Sequence, residues 1–238
     1  AVWSFGDRDT DETHEVQDRI SVVKLDTDEG NVTIEAAEVE QTTVHEKRSF
    51  WLIKRGDAFK VEGDTLVLNG DCGWNCDADF VVKVPRDTKV LGDLGSGDVV
   101  LSGVAGVDTS SQSADLKVRD VTGPVRIETT SGNVELDRIK GTLDVEVNSG
   151  DVTGRHLSGG SVRLKATSGD LKLDLDEPNP VSAEATSGEI DVTVPDDSYE
   201  VTADTSSGDK DIKVPSVTDG THRIDAHTTS GDIALKTG

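Results

Sequence analysis

One phrase recurs along the chain and dictates what it can fold into. Thr129-Thr130-Ser131-Gly132-Asn133-Val134 returns as Asn148-Ser149-Gly150-Asp151-Val152, Thr167-Ser168-Gly169-Asp170-Leu171 and Thr186-Ser187-Gly188-Glu189-Ile190. It returns again as Ser206-Ser207-Gly208-Asp209 and Thr229-Ser230-Gly231-Asp232-Ile233, with earlier copies at Gly95-Ser96-Gly97-Asp98-Val99 and, degenerate, Gln112-Ser113-Ala114-Asp115-Leu116. The central position falls at 97, 114, 132, 150, 169, 188, 208 and 231, giving steps of 17, 18, 18, 19, 19, 20 and 23. A slowly drifting period near 20 residues marks a solenoid in which each repeat is one coil.

The residues around the Gly say what a coil is made of. Val125/Ile127/Thr129, Leu143/Val145/Val147 and Val162/Leu164/Ala166 stand seven, five and three places before it, separated by Arg126, Glu128, Asp144, Glu146, Arg163 and Lys165. This alternation is the period of a strand with one wet face. Apolar pairs resume two and four places after the Gly, as in Val134/Leu136 and Leu171/Leu173. The parity changes across the Gly, so Ser-Gly-Asp is a corner, where Gly supplies positive φ and Asp or Asn bonds nearby amides. The fold expected is all-β: a parallel β-solenoid of roughly 19-residue coils, with like strands of successive coils paired.

The repeat is weaker toward the N-terminus. Residues 1–18 are polar and read as a solvated lead-in, and 20–36 match a first coil. Residues 37–80 break the pattern, with Ser49–Ile53, Ala58–Val61 and Thr65–Leu68 expected as an antiparallel meander or cap. Coils resume over 81–238, so the whole of 1–238 reads as one domain. Seven of the eight aromatics lie before residue 81. Phe50, Trp51, Phe59 and Trp74 are therefore either the core of a cap or an exposed contact site. Lys47, Arg48, Lys54 and Arg55 beside them form a basic cluster in a chain of net charge −23. Lys47, Arg48, Phe50, Trp51, Lys54, Arg55 and Trp74 are accordingly the candidate partner-binding set, suited to an anionic protein or cell-wall polymer.

Cys72 and Cys76 flank Gly73-Trp74-Asn75. They make either a small disulfide loop or half of a metal site, and the five scattered His favour the disulfide, which argues for export. The corner acids Asp98, Asp151, Asp170, Asp209 and Asp232 form a ladder whose expected role is turn capping. Calcium bridging is the alternative, although the calcium-roll pattern G-G-x-G-x-D is missing. No metal site, cofactor or catalytic residue is otherwise expected. The chain carries no G-x-S-x-G, phosphate-loop or H-E-x-x-H motif. Its acidity disfavours nucleic acid, which demands clustered Lys and Arg. No run of 18 apolar residues exists to span a membrane. The opening Ala1-Val2-Trp3 suggests that a signal or anchor segment precedes it in the natural protein.

The T-S-G-[DN]-[VLI]-x-[VL] coils, the Cys-bearing segment and Val84-Pro85-Arg86-Asp87-Thr88-Lys89-Val90 together resemble the bacterial putative-adhesin β-strand-repeat family, a domain of unknown function. The resemblance covers residues 20–238. It implies an exported or membrane-anchored envelope protein, with some relatives linked to envelope-stress signalling, and it transfers no catalytic residue. The function expected is a non-enzymatic binding or structural module at the bacterial surface; a carbohydrate-active β-helix enzyme on an acidic or wall polysaccharide is the alternative.

Overall fold

The computed structural model describes residues 8–50, 58–70 and 76–238, and among them every regular element is a strand. By its internal contacts the chain groups into two compact units, residues 1–114 and 115–238.

In the first unit β1 (Arg8–Val16), β2 (Val22–Thr27), β3 (Val32–Ala37), β4 (Thr42–Phe50), β5 (Phe59–Glu62), β6 (Thr65–Leu68), β7 (Cys76–Pro85) and β8 (Lys89–Ser102) precede β9 (Gly106–Val121), which belongs to this unit as far as Ala114. β2 and β3 form the first coil, and it is an inner one. β2 pairs in parallel with β6 on one side and β8 on the other, as Leu66↔Val23↔Val90. β3 lies likewise between β7 and β8, as Val82↔Ile34↔Leu101. Each of these six side chains is buried, because alternation puts every second residue of every strand inside.

Two expectations for this region are corrected. Residues 8–16 are no lead-in: β1 pairs antiparallel with β4 along its whole length. Its inward residues are Thr10, Glu12, His14 and Val16, so the alternation carries almost no apolar signal. The three-strand meander is also different. β5 and β6 form a hairpin about Gly63 and Asp64, but β4 pairs antiparallel with β7 and β1, and β6 doubles as a coil strand against β2. Residues 51–53 of the expected strand lie outside the described residues.

The second unit is the repeat itself. One column of strands is β10 (Val125–Ser131), β12 (Leu143–Ser149), β14 (Val162–Ser168) and β16 (Val181–Ser187); the other runs from Leu116–Val121 through β11 (Val134–Lys140), β13 (Val152–Ser158), β15 (Leu171–Leu175) and β17 (Ile190–Val194). The stack Leu143↔Val162↔Val181, with Val145↔Leu164↔Ala183 and Val147↔Ala166↔Ala185, is the core that the sequence pattern assigns.

The order then departs from the sequence. β18 (Tyr199–Ser207) and β19 (Lys210–Ile212) are followed by β20 (His222–Ser230) and β21 (Ile233–Thr237). Yet β20 pairs with β16 on one side and β18 on the other, and β21 with β17 and β19. The last coil is thus inserted before the penultimate one. Beyond the β18–β19 coil no strand among the described residues pairs, only the Ser216–Val217 segment bridging Tyr199. Its inner face is weakly apolar: Val201, Ala203 and Thr205 are half-buried, Ile212 is 38% exposed, and Lys210 sits where other coils place Val, Leu or Ile. Tyr199 and Val214, both buried, close this layer.

The corner explains the Gly column. Gly132, Gly150, Gly169, Gly188 and Gly231 have φ between 124° and 155°. A Cβ on Gly169 would overlap the carbonyl oxygen of Gly150, and one on Gly188 that of Gly169. Where the corner takes this positive-φ form, coils stack at strand spacing, about 4.8 Å, only without a side chain there; Ala114, at the degenerate corner, has no positive φ.

Candidate ligand-binding site

Parallel in-register stacking turns the sequence period into rows of side chains. On the outer face of the second unit Lys117, Glu135 and Thr153 make one row and Arg119, Asp137 and Arg155 the next, about 4.8 Å from coil to coil. These six residues, with Val118 and Leu136 beneath, line a shallow cavity of about 290 Å³.

A third row beside them is a bulge. Asp120, Arg138 and His156 have φ of 55°, 55° and 53°, a left-handed conformation uncommon for residues other than Gly. Arg138 is turned so that its Nε and Nη2 donate to Asp120, at 2.6 and 3.3 Å, and its Nη1 to Asp137 Oδ2 at 3.1 Å. The hydrogen bond to Asp120, then its charge and that of Asp137, raise the Arg138 pKa above the ordinary guanidinium value. His156 faces Asp176 at 3.2 Å.

Arg138 thereby absorbs the two aspartates nearest to it. Among the described residues Arg119 and Arg155, both exposed, have no ion-pair partner, and Lys117 meets Glu135 only at 3.9 Å. Asp137 Oδ1 is buried without a hydrogen-bond partner. The cavity therefore offers two guanidiniums to an anion. Guanidiniums match carboxylate and phosphate oxygens two at a time. Sequence reasoning did not single out this cavity; the signal was Arg at matching places two coils apart, Arg119 and Arg155, in an acidic chain.

The N-terminal candidates are placed differently from the expectation. Arg48 is 1% exposed, and its Nη2 donates to Glu46 Oε1 at 2.5 Å inside the unit. Inward parity along β4 (Thr42, Val44, Glu46, Arg48) takes it out of any surface cluster. Lys47 is exposed, but it opens on a cavity of about 480 Å³ lined also by Asp9, Glu29, Asp77 and Asp79, which cancel its pull on an anion. The backbone of Phe50 pairs with that of Cys76. Trp51, Lys54, Arg55, Cys72 and Trp74 lie outside the described residues, and with them the Cys72–Cys76 pairing.

The corner acids form a ladder. The Asp98 N–H donates to Asn31 Oδ1 at 2.9 Å, that of Asp151 to Asn133 Oδ1 at 2.9 Å, and that of Asp209 to Asp232 Oδ1 at 2.7 Å. Asp170 Oδ1 in turn accepts from the Glu189 N–H at 2.8 Å. The carboxylates of Asp151, Asp170 and Asp232 each cap a corner amide in the neighbouring coil, whereas Asp98 and Asp209 enter the ladder through their own N–H.

Among the described residues no helix is long and apolar enough to cross a membrane. No curated protein matches the chain. Two solved structures align over nearly its whole length. One is a "putative cell adhesion protein" from Clostridium sporogenes ATCC 15579, at 12% identity and TM-score 0.32, covering 97% of this chain and 100% of that one. The other is a "putative adhesin" from Bacteroides fragilis NCTC 9343, at 10% identity and TM-score 0.48, covering 96% and 97%. The family model described as Toastrack DUF4097 matches residues 20–236, the first coil to the last, and the chain belongs to that family.

Proposed function

We propose that this chain is a non-enzymatic binding module on the outer side of the bacterial cell envelope. Its ligand is an anionic, hydroxyl-bearing polymer, either a uronic-acid polysaccharide or a polyol-phosphate chain of the wall. The observation that carries this reading is the row Arg119–Asp137–Arg155. In a protein of net charge −23, two exposed arginines, without ion partners among the described residues, stand one coil to either side of Asp137. Anionic groups of the ligand take the guanidiniums. The stacked rows suit a polymer because both have a fixed repeat. Export is supported by the closely spaced Cys72 and Cys76, which suit an oxidising compartment.

Titration calorimetry with polygalacturonate and with polyglycerol phosphate, against neutral dextran, tests the reading. Binding of one anionic polymer, weakening as salt rises and lost at least about tenfold in Arg119→Ala/Arg155→Ala at an unchanged melting temperature, supports it. Equal affinity for dextran, or an unaffected double variant, overturns it. Release of shortened polymer in the same mixtures would put a carbohydrate-active enzyme in its place.

A further inference from the structure

The polar inner face of β1 and β4 holds an arrangement that neither strand pairing nor the anion cavity accounts for. Glu12 and Glu46 are direct partners in the antiparallel register, so two carboxylates stand opposite each other on the inward side. Like charges at directly opposed positions destabilise a strand pair unless something compensates them. Glu46 is 1% exposed. Arg48 compensates one of its oxygens, Oε1; the other, Oε2, is buried with no hydrogen-bond partner among the described residues. A buried carboxylate oxygen left in that state is costly.

His14 lies two residues along β1 from Glu12, on the same face. Its Nε2 stands 3.3 Å from Glu46 Oε1 and 3.5 Å from Glu12 Oε2. One ring nitrogen carries at most one proton, so it cannot serve both carboxylates as a donor, and both distances are long for charge-assisted hydrogen bonds. They suit something else. Ligand atoms about 2.0–2.1 Å from a tetrahedral zinc stand about 3.3–3.4 Å from one another. Phe59 of β5 meets the His14 ring edge-on, with centroids 5.1 Å apart, and helps to hold it.

We propose that Glu12, His14 and Glu46 form a binding site for a divalent transition-metal ion, with one imidazole and two carboxylates as ligands. The set suits zinc, and also manganese or iron(II). The ion relieves the opposed carboxylates. Arg48 sits behind Glu46 and fixes the carboxylate, as outer-shell partners of metal ligands do. Glu12 and His14 are about 40% exposed, so the ion has a way in and positions remain for water or a ligand's oxygen. The site ties β1 to β4.

The test uses the full chain stripped of metal by chelator and titrated with zinc by calorimetry, and with cobalt(II) by visible absorption. One equivalent should bind, with the strong visible bands of a low-symmetry cobalt site, and should raise the melting temperature. His14→Ala and Glu12→Gln should each weaken binding at least about tenfold while melting like the metal-free parent. Cys72→Ser should bind as the parent does. A stripped protein that takes up no metal, binding unchanged in His14→Ala, or binding lost in Cys72→Ser would overturn the proposal.

Discussion

The Oδ1 atom of Asp151 accepts the backbone N–H of Asp170, one coil further on, at 2.8 Å. The bond needs a short side chain with an acceptor oxygen and no charge, which is why Asn133 can occupy the same ladder. Asp151→Asn should leave stability within about 0.5 kcal/mol of the parent, whereas Asp151→Ala should cost about 0.5–1.5 kcal/mol, read from denaturant midpoints. Because the carboxylates of Asp151, Asp170 and Asp232 are engaged with amides, millimolar calcium should move the melting temperature by no more than a degree or two; a shift of many degrees would mean a bound ion.

Gly169 is a corner with no room for a side chain. Gly169→Ala should lower stability by about 1–3 kcal/mol from its φ of 148° alone, with the overlap on the Gly150 carbonyl adding to it. Thermal denaturation against the Asp151→Asn variant separates this loss from a mere change of corner polarity.

Leu164 and Val145 face each other across adjacent coils and are 1% and 0% exposed. Leu164→Ala should cost about 2–5 kcal/mol, and Leu164→Asp or Val145→Asp should abolish the cooperative melt of the repeat by burying an unpaired charge. A melt within a degree or two of the parent would mean that the register is wrong.

Tyr199 is the chain's one tyrosine, so its absorbance titration reads a single group. Its hydroxyl donates to the Pro195 carbonyl at 2.7 Å, and desolvation, then Asp197 and Asp196, push its pKa up to about 12. The neutral phenol is the form favoured by folding. Its contribution is therefore complete below the unfolded value of 10.0 and is lost as pH rises from there through 12, by about 2–3 kcal/mol in all. Tyr199→Phe should cost about 1 kcal/mol at pH 7 and flatten the alkaline fall.

Cys72 and Cys76 should be found oxidised in protein from an exported preparation. Thiol titration of unreduced, denatured chain should detect no free thiol, and two thiols with bound zinc would overturn the disulfide.

How much of this was legible in the residues varies along the chain. Strand alternation and the Ser-Gly-Asp corner define the coil completely, because Val, Leu and Ile at every second place admit one inward face and a change of parity admits one corner. Neighbour order is another matter. Every coil presents nearly the same edge, so pairing β20 with β16 rather than with β18 alone leaves no periodic trace; Lys210, Ala203 and Thr205 were its only marks. In β4 the alternation passes from Val44 to Glu46 and Arg48, and once the inward residues are charged, parity cannot be read from hydrophobicity. Lys47 and Arg48 then look alike in sequence while one faces solvent and the other the interior. The cavity at Arg119 and Arg155 escaped for a related reason: its residues are far apart in the chain and become a row only after the coils are stacked.

The placement of β20 and β21 has a consequence for how the molecule comes into being. Synthesis delivers β18 and β19 first, yet their partners on the repeat side, β20 and β21, emerge after them. Until residue 237 is available, the penultimate coil has nothing to pair with, and the face of β16 and β17 stays open. The second unit therefore cannot grow one coil at a time in sequence order; its closing step waits for β20 and β21. A chain cut short before residue 222 would lose a middle layer and strand the outer one, so that the repeat polices its own length.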